Sequence, residues 1–212
     1  MTRGKFITFE GPDGSGKTTQ IQLLFDHLSK KGFDCLLTRE PGGTKVGEIM
    51  RDILKDTSLN SVLSIETEVL LLQTARAQHV YELIKPSVEM GKIVLCDRYA
   101  DSSVAYQGAG RCVGEKKIEE LNSFSTGNFQ PDITFLLDVQ PEHVFNRIDK
   151  RNGCEQRDRW EEQNIEFHRR VRNSFLNLAK KHSKRYKVIN ADRSIELISV
   201  DIQHIVNSML YI

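Results

Sequence analysis

Five short runs of almost continuously apolar residues constrain the fold of this 212-residue chain more than any other feature of its sequence. A strand with one face in water alternates apolar and polar residues, whereas a near-continuous apolar run is typical of a strand buried on both faces. The runs lie at residues 5–10, 33–39, 92–96, 133–139 and 186–190. They predict a sheet that is covered on both faces.

Segments with helical spacing separate these runs. Ile21, Leu24, Phe25 and Leu28 recur at i, i+3, i+4 and i+7, and Gly32 is placed to end that helix. Further helices are predicted at residues 46–55, 66–88, 115–125, 142–150, 161–181 and 195–210. Strands that alternate with helices form βαβ units, so we predict an α/β fold with a parallel sheet and helices on both faces. Ligands of such sheets bind at the carboxyl ends of the strands.

A glycine-rich motif follows the first run. Residues 11–18 are GPDGSGKT, which fits G-x-x-x-x-G-K-[ST] and stands between a predicted strand and a predicted helix. The glycines let backbone N–H groups curl around a phosphate, the helix N-terminus adds positive charge, and the lysine can reach the β- and γ-phosphates. The motif predicts that nucleotide phosphates are bound by Gly11, Gly14, Ser15, Gly16, Lys17, Thr18 and Thr19.

Asp97 and Arg98 follow the third apolar run directly. An aspartate at the carboxyl end of a buried strand is placed to hold Mg²⁺ together with the Thr18 hydroxyl, although the same residue could instead cap a helix. The adjacent arginine would be an odd cation at a strand end unless a second phosphate binds there. We therefore predict Thr18 and Asp97 as metal ligands and Arg98 as a phosphate ligand.

Composition excludes several other classes of protein. The formal net charge is +1, so no global field attracts a long polyanion, and we expect no nucleic-acid partner. We expect no membrane association, because no apolar run approaches the length of a span and the first residues lack a signal-peptide core. The four cysteines form no CxxC pair, so neither a zinc site nor a disulfide framework is indicated, and the cytoplasm is the expected location.

Several segments together resemble the thymidylate kinases of the bacterial type. They are FEGPDGSGKTT at 9–19, TREPGG at 38–43, ARAQH at 75–79, DRYADSSVAYQGAGR at 97–111 and PDITFLLDV at 131–139. The resemblance covers nearly the whole chain. It implies one kinase domain, 1–212, with a five-stranded parallel sheet, and usually a homodimer. It also implies that the chain transfers the γ-phosphoryl group of ATP to dTMP with the help of Mg²⁺.

The resemblance also assigns roles residue by residue. Asp13 matches a carboxylate near the sugar and the acceptor phosphate, and Tyr106 matches the aromatic residue that packs on the deoxyribose and disfavours a 2′-hydroxyl. The residues that match ligands of the acceptor phosphate or of thymine are Arg51, Arg76, Arg98, Ser103 and Gln107. Taken alone, Arg51 and Arg76 could equally be solvated residues of amphipathic helices, and Ser103 and Gln107 ordinary loop residues.

A lid is implied at about residues 147–160, where four arginines stand at 147, 151, 157 and 159. The other branch of the family carries an arginine in the phosphate loop, but position 14 is glycine here, so the lid must supply that charge. Arg159 is the best match, although a basic run can also be a solvated face. The predicted catalytic residues are therefore Lys17, Arg98, Arg159 and Asp13. No general base is expected, because the second pKa of a phosphate is about 6 and the acceptor oxygen is already ionised.

The chain departs from the family pattern at Leu72, where the family usually stacks a phenylalanine on thymine. An apolar floor remains, but a stacking contribution of about 0.5–1.5 kcal/mol is lost. A kinase for another pyrimidine monophosphate, such as dUMP, therefore remains the alternative. A regulatory GTPase is a further alternative, but it predicts an N-K-x-D motif, and residues 190–192 supply only Asn-Ala-Asp.

Overall fold

The computed structural model describes residues 3–143, 160 and 163–211, and the five predicted strands form one parallel sheet. The strands are β1 Lys5–Glu10, β2 Cys35–Arg39, β3 Ile93–Asp97, β4 Ile133–Asp138 and β5 Tyr186–Asn190. Their order across the sheet is β2-β3-β1-β4-β5. The fold class predicted from the sequence is thereby confirmed, with strand ends that differ by one or two residues.

Helices connect the strands. They are α1 Lys17–Lys30, α2 Lys45–Lys55, α3 Ile65–His79, α4 Lys85–Glu89, α5 Ala100–Ser103, α6 Glu115–Thr126, α7 Ile165–Lys181 and α8 Ile195–Leu210. A 3-10 turn, Thr57–Leu59, and two π-helical segments, Val80–Ile84 and Val104–Gly110, complete the described elements. Side-chain caps start several helices; for example, Thr44 accepts a hydrogen bond from Gly47 N at 3.0 Å, and Asn164 caps α7 in the same way.

Two predicted helices begin or end differently in the structure. The single helix expected over 66–88 is divided by the π-helical segment Val80–Ile84, and Pro86 is the second residue of the short helix that follows it. Proline lacks the N–H that would continue the i→i−4 ladder, so the backbone changes pitch there. The helix expected from residue 161 begins at Ile165, because the Asn164 side chain caps it. Most of the helix expected over 142–150 lies outside the described residues.

The sheet is covered on both faces, as the apolar runs predict. On one face Ile7 and Phe9 of β1 pack with residues of α1 and α8 such as Leu24 and Ile202. On the other face Phe6 packs with the π-helical segment before Pro86 and with α4, and a third cluster joins β4 to α7. None of the described helices is long and apolar enough to cross a membrane.

The carboxyl ends of the central strands meet at one edge of the sheet. Phe9 of β1 pairs with Asp97 of β3, and Asp97 pairs in turn with Arg39 of β2. Glu10, the last residue of β1, pairs with Leu136 of β4. This register brings the glycine-rich loop after β1 beside the Asp97-Arg98 pair after β3.

Candidate active site

The glycine-rich loop runs from β1 into α1 with a backbone that residues bearing a Cβ rarely adopt. Gly11, Gly14 and Gly16 have φ angles of 137°, 73° and 92°. A Cβ on Gly11 would also lie 2.6 Å from the carbonyl oxygen of Leu137. Helix α1 has no side-chain cap and no acidic residue in its first turn, so its first N–H groups are available to an anion. Ser15 Oγ is buried without a hydrogen-bond partner among the described residues, which also suits a bound phosphate.

Lys17 begins α1 and is only 6% exposed. Its Nζ donates to the carbonyl of Pro12 at 2.8 Å, the one hydrogen bond that this ammonium forms within the described part of the chain. Burial and the nearby charge of Arg98 lower the pKa of Lys17 to about 8, although Asp13 and Asp97 oppose that change. An ammonium with two unused N–H donors, held inside a loop of backbone amides, suits phosphate oxygens.

Thr18 and Asp97 lie in direct contact at the mouth of this loop. Thr18 Oγ1 donates to Asp97 Oδ2 at 2.7 Å, while Asp97 Oδ1 is buried without a partner among the described residues. Hydroxyl and carboxylate oxygens suit Mg²⁺, which usually keeps several waters and takes other ligands from substrate phosphates. In the described ranges no group of three His, Cys, Asp or Glu side chains is placed to hold a metal ion. Thr18 and Asp97 offer two protein oxygens, so waters and substrate phosphates would supply the other ligands of a Mg²⁺ held there.

Arg98 joins the glycine-rich loop to the segment that follows β3. It adopts a left-handed backbone conformation, with φ 69°, which turns the chain sharply after Asp97. Its Nη1 donates to the carbonyl of Gly11 at 3.0 Å, and its Nη2 donates to Asp13 Oδ1 at 2.6 Å and to Tyr106 Oη at 3.2 Å. The guanidinium also lies over the Tyr106 ring, 4.9 Å from its centroid. Arg98, Asp13 and Tyr106 therefore form one rigid cluster.

The charges of this cluster are mutually stabilised. Burial alone would raise the pKa of Asp13, but the charges of Arg98 and Lys17 outweigh burial and hold that pKa well below its usual range. Burial would likewise lower the pKa of Arg98, but the Asp13 carboxylate and other neighbours raise it. The Tyr106 hydroxyl donates to Asp13 Oδ2 at 3.0 Å. Asp13 is therefore an anion whose two oxygens fix the arginine and the tyrosine.

Helix α3 forms a second wall of the candidate active site. Glu68, Leu72 and Arg76 are spaced by four residues and thus lie on one face of the helix, where they are 1%, 7% and 2% exposed. That face packs near α5 and the π-helical segment after it, which carry the buried residues Ser103 and Gln107. The predicted base-contacting residues Leu72, Arg76, Ser103 and Gln107 are thus on neighbouring elements.

Arg76 is held in a buried polar cluster. Its Nε donates to Glu40 Oε2 at 2.8 Å, its Nη1 to Asn122 Oδ1 at 2.9 Å, and its Nη2 to the carbonyl of Tyr99 at 3.3 Å. Glu40 Oε1 lies 3.2 Å from His79 Nδ1. These contacts fix the plane of the guanidinium. Arg51, on α2, is half-buried and donates from Nη1 to the carbonyl of Pro41 at 2.8 Å.

Comparison with known proteins agrees with this geometry. The family model for thymidylate kinase matches residues 9–202. The chain belongs to the thymidylate kinase family. It is 46% identical over 196 residues to a thymidylate kinase of Lactobacillus helveticus, covering 92% of this chain and 91% of that protein. It is 44% identical over 208 residues to one from a Thermoanaerobacter species, covering 98% of this chain and 100% of that protein.

A solved structure agrees in the same way. The crystal structure of thymidylate kinase from Ehrlichia chaffeensis superimposes with a TM-score of 0.77 at 35% sequence identity, covering 97% of this chain and 99% of that one. The resemblance to thymidylate kinases that the sequence motifs indicate is thus confirmed over nearly the whole length.

The lid predicted at about 147–160 falls almost entirely outside the described residues, and so do its four arginines. Trp160, at the end of the predicted lid, is described: its Nε1 donates to Glu68 Oε1 at 3.0 Å. The role predicted for Arg159 therefore stays a prediction.

Three buried carboxylates of the site were not assigned a role from the thymidylate kinase motifs. Glu40, in the quoted TREPGG segment, holds Arg76, and Glu68 accepts from Gln107. Glu10 accepts from Tyr99 N and Ser102 Oγ, and burial together with the charge of Asp101 raises its pKa to about 8. Glu10 ends one apolar run and Glu40 follows another, and a carboxylate at the end of a buried strand is a usable signal. Glu68 offers no such signal, because its partners lie far away in sequence.

Proposed function

We propose that this chain transfers the γ-phosphoryl group of ATP to the 5′-phosphate of dTMP, giving dTDP and ADP. The observation that carries the proposal is the bridge made by Arg98. One guanidinium contacts the Gly11 carbonyl of the phosphate loop and also Asp13 and Tyr106. A cation in that position can bind an acceptor phosphate beside the donor phosphates. A nucleotide-dependent switch protein has no acceptor phosphate to bind. Membership in the thymidylate kinase family supplies the choice of acceptor.

The reaction requires positioning more than proton transfer. The acceptor oxygen is ionised near neutral pH, so the protein must bring two anions into line and neutralise the transferring group. Lys17 and the first N–H groups of α1 act on the donor phosphates. Arg98 acts on the acceptor phosphate, and Asp13 keeps Arg98 in place. Arg51 and Arg76 complete the acceptor side, with Arg76 held by Glu40.

Thr18 and Asp97 are the residues that would hold Mg²⁺, since both offer oxygens at the mouth of the loop. When bound, the cation neutralises charge on the donor phosphates. The lid, through Arg159, would add charge at the transferring group and exclude water. Tyr106 is the residue proposed to disfavour ribose, because a 2′-hydroxyl would be crowded against its ring and left without a partner.

We also propose a homodimer. Helices α2 and α3 pack against each other and carry the exposed apolar residues Val46, Ile49 and Leu70, which a second copy would cover. Sedimentation velocity measures this directly, and a monomer at micromolar concentration would contradict the proposal. The cytoplasm is the proposed location, in keeping with the free thiols of Cys35, Cys96 and Cys112 in the described part of the chain.

A coupled assay with ATP across dTMP, dUMP, dCMP, dGMP and UMP tests the acceptor. One methyl group in an apolar pocket is worth about 10–200-fold in kcat/KM, so dTMP should exceed dUMP by a factor in that range, toward its lower end. The buried aliphatic side chain of Leu72 is the reason, because it can contact the base but cannot stack on it as a phenyl ring would. If dUMP is phosphorylated as well as dTMP, the protein does not recognise the 5-methyl group, the thymidylate assignment fails and only the nucleoside monophosphate kinase class remains.

A further inference from the structure

Among the described residues, the buried carboxylate of Glu68 contacts neither the glycine-rich loop nor the Thr18–Asp97 pair. It lies on α3, one helical turn before Leu72, and is 1% exposed. Three donors from distant parts of the chain converge on it. Gln107 Nε2 and Trp160 Nε1 donate to Oε1 at 2.8 Å and 3.0 Å, and Arg111 Nη2 donates to Oε2 at 3.4 Å.

These contacts determine which way the Gln107 carboxamide faces. An ionised carboxylate accepts hydrogen bonds and cannot donate them, so the Gln107 end that faces Glu68 must be the NH₂ group. The other end of the carboxamide is then the carbonyl oxygen Oε1, which accepts no hydrogen bond from the described residues. Glu68 therefore leaves Gln107 with a fixed acceptor to offer to a ligand.

A fixed acceptor distinguishes the two common pyrimidines. Thymine presents an N3–H donor beside the O4 acceptor, whereas cytosine presents an N3 acceptor beside the N4 amino donor. Arg76, on the same face of α3, can only donate. An Arg76 donor and a Gln107 acceptor that contact one base thus match the order of groups on thymine and oppose the order on cytosine.

We propose that Glu68 is the residue that sets base specificity, by holding Gln107 with its acceptor toward the base and so favouring thymine over cytosine. Glu68 is a positioning residue that acts through Gln107. The proposal rests on the function proposed above, because it requires Gln107 to contact the acceptor base. Trp160 and Gln107 donate to the same oxygen of Glu68, so the end of the predicted lid contacts the residue that positions Gln107.

The decisive variant is Glu68→Gln, which keeps the shape but lets the side chain at 68 donate as well as accept. Gln107 is then free to turn its NH₂ group toward the base. The ratio of the Kd for dCMP to the Kd for dTMP, measured by calorimetry, should fall by about tenfold or more, because one correctly ordered hydrogen bond is no longer enforced. The kcat with dTMP should change much less. Glu66→Gln, at an exposed position on the same helix, makes the same charge change and should leave the ratio unaltered.

The reciprocal exchange Glu68→Gln with Gln107→Glu should restore the preference for dTMP. It places an acceptor-only group at 107 and keeps one carboxylate and one carboxamide in the pair, so it also tests the proposal if Glu68→Gln alone folds poorly. Trp160 is the chain's single tryptophan, and its fluorescence should change in Glu68→Gln and not in Glu66→Gln. An unchanged ratio in folded Glu68→Gln, or equal losses for both nucleotides, would overturn the proposal while the dTMP kinase function stands. A wild type that fails to phosphorylate dTMP would instead refute the function.

Discussion

Removal of the Glu40 carboxylate tests whether charge holds the buried cluster around Arg76 together. Glu40 Oε2 lies 2.8 Å from Arg76 Nε, and the two side chains are 3% and 2% exposed. In Glu40→Ala the guanidinium stays buried without its anionic partner. Breaking one side of a buried ion pair costs about 3–5 kcal/mol, a large part of the roughly 5–15 kcal/mol that stabilises a typical domain.

Thermal unfolding followed by circular dichroism or calorimetry measures this loss. For a chain of this size each kcal/mol lowers Tm by about 2–4 °C, so Glu40→Ala should unfold roughly 6–20 °C below the wild type. The matched control is Glu119→Ala. Its carboxylate lies 2.6 Å from Lys181 Nζ, but the side chains are 33% and 56% exposed, so the pair contributes at most about 1 kcal/mol.

The double variant Glu40→Ala with Arg76→Met tests whether stability is lost because the Arg76 charge is uncompensated or because the Glu40 side chain itself is missing. It removes both charges, so much of the stability lost in Glu40→Ala should return if the uncompensated guanidinium is the cause. The reasoning is refuted if Glu40→Ala is as mild as Glu119→Ala, or if the double variant is less stable than the single one.

Four further predictions concern catalysis and binding. Lys17→Ala should lower kcat at least about a hundredfold in a folded protein, because its charge acts mainly on the transition state. Since the Lys17 pKa is about 8 and the charged form binds phosphate, wild-type affinity for ATP should weaken as pH rises through 8, and titrations of Lys17→Ala should lose that dependence. Arg159→Ala should lower kcat about a thousandfold, whereas unchanged turnover would show that Arg159 is a solvated lid residue. Leu72→Phe should tighten dTMP binding about 2–12-fold at constant kcat, and calorimetry that finds no gain would show that Leu72 is not the base floor.

The sequence was sufficient to predict the parts of the molecule that depend on local pattern. The apolar runs predicted the strands, and the glycine-rich motif predicted the loop after β1, whose glycines have positive φ angles. The contact between Thr18 and Asp97 followed because the glycine-rich loop after β1 and the carboxyl end of β3 lie at the same edge of a parallel sheet.

Contacts between distant side chains were harder to predict. Nothing local to Glu68 indicates that Gln107, Arg111 and Trp160 donate to it, since these residues lie 39, 43 and 92 positions further along the chain. The π-helical segment Val104–Gly110 was also missed, because its small and polar residues carry no clear apolar period. Buried polar networks depend on tertiary geometry, which periodicity does not encode.

The adjacency of Asp97 and Arg98 has a consequence for how the enzyme can change its acceptor. With Asp97 assigned to the donor's cation and Arg98 to the acceptor phosphate, one peptide unit separates the two half-sites, and successive Cα atoms are about 3.8 Å apart. Because these two residues are covalently adjacent, the backbone at this point cannot let the two half-sites move independently. The residues proposed to contact the base lie on α3, on α5 and on the segment after it, on a different wall of the pocket. Substitutions there can alter which nucleoside is accepted without moving the reacting phosphates, so libraries aimed at new acceptors should vary Leu72 and its neighbours and leave the dipeptide intact.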